Sequence, residues 1–153
     1  MRLDDLDLLI EEYNGDAVEF GDSNCDLSPT EERIRETECL IGCKLPPSYL
    51  WFVKKYGGGE VYGEEIYSIY PVLSEQSIGD VSYQTKWSRD RGLVENSDVV
   101  ICSNDFGETF VLDSASPGED GEYPVYLKAG ASKKEYATSF GEFLYKRISN
   151  PEG

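Results

Sequence analysis

Leu3, Leu6, Leu9, Ile10 and Tyr13 recur at intervals of three and four with acids between them, which predicts an amphipathic helix over residues 2–13, stopped by Asn14-Gly15. Residues 16–27 are polar and weakly periodic, and read as a loop. Ser28-Pro29-Thr30-Glu31 then has the form of a helix start, with Ser28 as cap, Pro29 at the first helical position and Glu31 closing a capping box. Ile34, Thr37, Leu40 and Ile41 supply the inward stripe and Gly42 the stop. Leu45-Pro46-Pro47 breaks the helical run, because the residue before a proline is driven out of the helical region. A third helix begins at Pro47 or Ser48, with Tyr49, Phe52, Val53 and Tyr56 on one face and Gly57-Gly58-Gly59 at its end.

From Glu60 the period becomes that of strands. Residues 60–62 and 64–70 flank Gly63 as a hairpin, with Ile66, Ser68 and Tyr70 on one face and Tyr67 and Ile69 on the other. A helix over residues 76–90 is anchored by Ile78, Val81, Tyr83 and Trp87. Residues 99–103 are apolar on both faces and read as a central strand; Asn104-Asp105-Phe106-Gly107 is a turn, and residues 109–113 return antiparallel. Residues 123–128 form the last predicted strand, placed at an edge or strand start by Pro124. A final helix capped by Thr138 or Ser139 turns Phe140, Phe143, Leu144, Arg147 and Ile148 inward. With few long parallel crossovers, the class is α+β: one domain over residues 1–153, a mostly antiparallel sheet of about five or six strands with helices packed against it.

Composition narrows the chemistry. Thirty acidic against fourteen basic side chains give a net charge of −16, which repels phosphate backbones and anionic headgroups, so neither nucleic acid nor membrane is expected as a direct partner. The absence of histidine excludes Ser-His and Cys-His nucleophile pairs and the common zinc sites. Cys25, Cys39, Cys43 and Cys102 show no C-x-x-C spacing; Cys39 and Cys43 would make half a metal site with nothing to complete it, so all four read as reduced thiols acting as small hydrophobes. The glycine run at 57–59 lies between a helix and a strand, without the lysine of a phosphate-binding loop, and Asn104, Asp105 and Asp113 lack the spacing of a calcium loop. No cofactor or metal is expected. Paired acids such as Asp4-Asp5 and Glu64-Glu65 arise from composition alone, and neighbours on a strand face opposite ways, so a two-carboxylate hydrolase is a poor reading. No leader or apolar span is visible, and the expected location is the cytoplasm.

Three blocks in order resemble the SUKH superfamily, which contains bacterial immunity proteins and fungal cell-wall assembly regulators of the Smi/Knr type. They are Ile41-Gly42-Cys43-Lys44-Leu45-Pro46-Pro47-Ser48-Tyr49 with Phe52 and Tyr56-Gly57-Gly58-Gly59; the segment from Val100 through Asn104-Asp105-Phe106-Gly107 to Asp113; and Tyr123-Pro124-Val125-Tyr126 followed by Ser139-Phe140-Gly141-Glu142-Phe143-Leu144. Tyr56 stands where the family often has Asn. Most of these residues have packing or turn roles, so they speak for the fold more than for a site. The resemblance implies a non-catalytic immunity protein that neutralises a cognate toxin by stoichiometric binding, the toxin being a nuclease or another nucleic-acid-directed effector with a basic groove. A scaffold of the cell-wall regulator type is the alternative. Outward carboxylates beside aromatics are the contact candidates: Tyr62, Glu64, Glu65 and Tyr67 around the hairpin, with Trp87, Asp105 and Glu108 as a second patch. The oligomeric state is left open.

Overall fold

A computed structural model describes residues 2–21, 28–74 and 76–150. In chain order the elements are α1 (Leu3–Tyr13), β1 (Val18–Phe20), α2 (Glu31–Ile41), α3 (Pro47–Tyr56), β2 (Gly59–Val61), β3 (Glu64–Ile66), α4 (Val81–Asp90), β4 (Asp98–Ser103), β5 (Glu108–Asp113), β6 (Val125–Ala129), β7 (Ser132–Ala137) and α5 (Phe140–Ser149). The named strands form one antiparallel meander in the order β1 to β7. The α+β class therefore holds, but the sheet has seven strands.

Both additional strands are edges. β1 is only three residues long, with Val18 and Phe20 buried and Glu19 exposed, and it falls in the stretch expected as loop; residues 22–27 of that stretch, Cys25 included, lie outside the described residues. β7 carries Lys133 and Lys134 and little apolar periodicity, as suits an edge that must not pair with another chain. Accordingly β6 is internal. Pro124 stands just before it, where its carbonyl accepts from the Asp113 amide at 2.9 Å.

A row of phenylalanines shows where the core lies. Phe20 of β1 meets Phe52 of α3 with ring centroids 5.0 Å apart, Phe52 meets Phe140 of α5 at 5.4 Å, Phe140 meets Phe143 at 5.8 Å, and Phe143 meets Phe110 of β5 at 5.0 Å. α3 and α5 thus cover one face of the sheet, and α1 packs on α5 with Leu6 and Ile10 buried. Pro46, at the cap position of α3, has no side-chain acceptor to offer. Glu122 replaces it from 74 residues away: its carboxylate accepts from the Ser48 amide at 2.9 Å and from the Ser48 hydroxyl at 2.8 Å. Ser48 Oγ in turn accepts from the Gly141 amide at 3.0 Å, so one serine ties together the starts of α3 and α5.

Helix α4 substitutes for sheet pairing. β3 pairs with β4 only at Ile66 and Cys102, which leaves the first half of β4 short of a neighbour on that side. The Thr85 hydroxyl accepts from the Val100 amide at 2.9 Å, and the Arg89 guanidinium donates to the Asp98 carbonyl at 3.1 Å and the Ile41 carbonyl at 2.7 Å. Backbone groups that would be costly to bury unpaired are thereby satisfied.

Several boundaries shift. Thr30, not Ser28, caps α2, accepting from Arg33 N at 3.1 Å, while Ser28 Oγ donates to the Lys54 carbonyl. Arg33 takes the inward place expected for Leu40, which is 54 % exposed. α4 starts at Val81 because Asp80 caps it. β3 ends at Ile66 because the following residues turn to the 79–81 segment: Ser68 N donates to Gly79 O and Val81 N to Ser68 O. Cys102 is buried, and desolvation raises its thiol to about 12, so it packs as an inert hydrophobe; Cys43 is half-buried and Cys39 exposed.

Candidate functional site

Strand register decides which carboxylates stand together. Glu19 lies opposite Glu60 and Glu60 opposite Glu65, so the three acids form a row across β1, β2 and β3 on one face. Like charges directly opposite are destabilising in a sheet, by a few tenths to about 1 kcal/mol per pair. Among the described residues, no Lys or Arg lies within ion-pair distance of any of the three. Glu65 is further crowded because its carboxylate and the Tyr70 hydroxyl occupy the space a side chain at Gly79 would take. Burial first, and the Glu60 charge second, push its carboxyl above the ordinary glutamate range.

A raised carboxyl pKa makes the folded state hold its proton longer than the unfolded chain does. The stability this contributes is complete below the unfolded pKa, about 4.3, and is lost as pH rises through the folded value. Glu65→Gln is therefore expected to stabilise the protein at pH 7 by at most a few tenths of a kcal/mol, since water screens this exposed carboxylate, and to flatten the fall in stability just above about pH 4.3. Urea midpoints measured between pH 4 and 7 check this, and a destabilised variant would show that Glu65 is held by favourable contacts.

Glu64 has a different role. It faces the opposite way from Glu65, and its carboxylate meets Arg147 of α5 at 2.6 Å, with both side chains largely covered. That pair joins the hairpin to the last helix. Tyr67 is buried, 8 % exposed; its hydroxyl bonds Ser103 Oγ at 2.6 Å and its carbonyl accepts from the Tyr49 hydroxyl at 2.7 Å. Tyr67 is expected from the sequence as a contact residue beside the hairpin acids, and the structure corrects this, because residues 66–69 are covered on both faces. Tyr62 remains 47 % exposed and takes φ +51 beside Gly63 at φ +80, the two-residue turn that matches strand twist. A tyrosine in that left-handed position is strained, and its hydroxyl is held by the Ile148 carbonyl at 3.1 Å, near the end of α5.

The second patch divides. Trp87 belongs to α4, where Arg91 stacks 4.0 Å from its ring centroid, and it lines an open apolar groove of about 500 Å³ with Leu40 of α2, Leu73 and Tyr83. Arg89, two residues on, reaches the first residue of β4, whereas Asp105 and Glu108 flank the turn after its last. Those two acids instead share an end of the sheet with the hairpin: in an antiparallel meander, alternate connections lie at the same end, about two strand spacings or roughly 10 Å apart. The 14–17 segment joins them there, since Tyr62 N donates to the Ala17 carbonyl at 2.7 Å. A cleft of about 380 Å³ opens at this end between Tyr13, Asp16, Glu19, Glu60 and Tyr62. Sequence reasoning missed Asp16, Glu19 and Phe106 as surface features. The first two follow from a strand too short to read; the third was visible as an aromatic inside turn chemistry.

Residues 28–146 match the SMI1 / KNR4 family (SUKH-1). The chain belongs to that family. The SUKH-1 match runs from the start of α2 into α5, so α1 and β1 precede it, and the acidic row joins one residue outside the matched stretch, Glu19, to two within it. The SUKH-like blocks read from the sequence are mainly structural here: Tyr49 and Phe52 are buried, Gly57 caps α3 at φ +75, and Phe140, Phe143 and Leu144 sit in the core. Among the described residues no cluster of His, Cys, Asp and Glu fits a metal ion, and no helix is long and apolar enough to cross a membrane.

Proposed function

We propose that this chain is a bacterial immunity protein of the SUKH type, which neutralises a cognate toxin by binding it one to one without catalysis. The observation that carries the reading is the row Glu19, Glu60 and Glu65, three carboxylates set side by side without a neighbouring cation at a cost in stability. A fold tolerates such a row where something outside it supplies the positive charge. A nuclease has that charge in the groove that holds its substrate's phosphates, and complementary fields speed encounter and select the partner. Asp16, Asp105 and Tyr62 extend the acidic region around the same end of the sheet. Occlusion of a basic toxin in the cytoplasm is the action this arrangement suits.

The test is co-expression and binding with the toxin encoded beside this gene. The wild-type chain is expected to protect cells and to form a 1:1 complex. The triple charge reversal Glu19→Lys, Glu60→Lys and Asp105→Lys is expected to slow association at low salt by about tenfold or more and to remove most of its salt dependence. A complex that forms equally fast after reversal would overturn this surface. Glu64 is left out, because its reversal would face Arg147 and report on folding. Capture of many housekeeping partners and no toxin would favour the scaffold role.

A further inference from the structure

Phe106 is the most exposed large apolar side chain among the described residues, at 88 % of its area. It stands at the tip of the β4–β5 turn, and that turn is stiff. Asn104 Oδ1 accepts from the amides of Phe106 at 3.0 Å and Glu108 at 3.1 Å, and Asn104 Nδ2 donates to Glu108 Oε1 at 2.9 Å. The Asn104 amide donates to the Glu108 carbonyl at 3.0 Å, and Gly107 supplies the left-handed residue at φ +80. Folding does not need this ring, since it is almost wholly exposed, yet four hydrogen bonds joining Asn104 to Phe106 and Glu108 hold the turn beneath it. An aromatic ring held ready on a rigid turn loses little freedom when it docks, and such rings dominate the energetics of interfaces.

We infer that Phe106 is the anchor of the complex: its ring enters an apolar pocket on the basic toxin, and Asp105 and Glu60 engage Lys or Arg side chains on that pocket's rim. This rests on the proposed function and adds the residue that sets the complex's lifetime. The surroundings argue for a basic occupant over a second copy of this chain. Asp105 is adjacent, Glu108 lies two residues on, and Asp16 and Glu60 share the end of the sheet, so a like copy carrying −16 would bring acids against acids.

The experiment uses the full chain and a catalytically inactive form of the toxin domain encoded beside its gene, followed by surface-coupled kinetics. Phe106→Ala is expected to raise the dissociation rate about thirtyfold or more, with the association rate changed less than about threefold. Phe106→Leu should recover part of the loss. Glu60→Lys with Asp105→Lys should do the reverse, acting on association and its salt dependence. Unfolding midpoints of both Phe106 variants should match wild type, because the ring is outside the core. Wild-type binding with an unchanged Phe106→Ala dissociation rate overturns the anchor and leaves the function standing. Absence of wild-type binding overturns both. A concentration-dependent dimer in sedimentation, dissolved by Phe106→Ala, would assign the ring to self-association and overturn the inference.

Discussion

Replacing Asp80 with alanine is expected to destabilise the protein by about 3–5 kcal/mol, the range for removing one partner of a buried ion pair. Asp80 has no solvent exposure. One carboxylate oxygen accepts from Ser82 N at 2.8 Å, Ser82 Oγ at 2.5 Å and Tyr83 N at 3.1 Å, capping α4; the other accepts from Tyr70 N at 2.8 Å. Arg33 of α2 stands 3.6 Å from that second oxygen, and its NH2 nitrogen is buried with no hydrogen bond of its own. Alanine would leave the buried side of the guanidinium without its carboxylate, with the half-exposed Glu36 still on the other side, uncap the helix and free the chain that leads from β3 to α4. Thermal unfolding is expected to fall by roughly 10 °C for a domain of this size. Glu36→Ala gives the contrast: it removes the other, half-exposed partner of Arg33 and should cost at most about 1 kcal/mol. Urea denaturation of the two variants checks the ratio, and equal costs would mean that Asp80 contributes only as a surface charge does.

That cluster marks a limit of what the sequence makes legible. The helix expected over residues 76–90 exists from Val81 to Asp90, but of its expected anchors only Val81 is buried, and Ser82, Thr85 and Ser88 complete the inward face. Asp80 as its cap is hidden in the sequence because Ile78 and Val81 continue the apolar pattern across the boundary. Arg33 gave no sign that it would be buried; its reason for being inside is a carboxylate 47 positions away. Elements whose evidence is local came through well. Tyr49, Phe52, Val53 and Tyr56 form the buried face of α3, Gly57 ends it, and Ser139 caps α5. Elements defined by their neighbours did not. β1 has three residues and β7 is polar because it is an edge, so neither shows a period long enough to find.

The candidate site was legible to the same degree. The rule that adjacent strand residues face opposite ways separates Glu64 from Glu65, and the structure gives the reasons each is there: Arg147 for one, the Glu60 row for the other. Glu19 could not be added to that row until β1 was known to lie against β2. Tyr67 reads as an aromatic beside the hairpin acids, and alternation could not tell its exposure, because that rule separates inside from outside only where one face of a strand meets water. Trp87 was grouped with Asp105 and Glu108 on composition alone, and only the path of α4 along β4 shows that they belong to different ends. The acidic cluster at residues 60–65 is visible in the sequence, but its geometry comes from pairing partners that a one-dimensional reading does not contain.

Gly59→Ala is expected to cost about 4 kcal/mol, combining strain at an unfavourable backbone conformation with forced overpacking, each about 1–3 kcal/mol. The glycine run reads from the sequence as a helix stop and a tight turn, which describes Gly57. Gly59 has another reason. At φ +147 its missing side chain would point into β1: a Cβ there would lie 2.2 Å from the Glu19 carbonyl oxygen and 2.7 Å from Phe20 Cα. Both are backbone atoms of a paired strand, which cannot swing aside as a flexible side chain does. Accommodating a methyl means pushing β1 away from β2, and with it Phe20 from Phe52 and Glu19 from Glu60. Gly63→Ala is the control. It also has positive φ, +80, but nothing lies within 4 Å of its Cβ, so only the conformational cost of about 1–2 kcal/mol remains. Unfolding midpoints that differ by about 2 kcal/mol or more between the two variants would establish close strand approach as the requirement at residue 59. Equal losses would reduce it to backbone conformation alone. Because β1 contributes Glu19, a Gly59→Ala chain that still folds is also expected, under the proposed function, to associate more slowly with the proposed toxin, which separates it from a variant that is merely less stable.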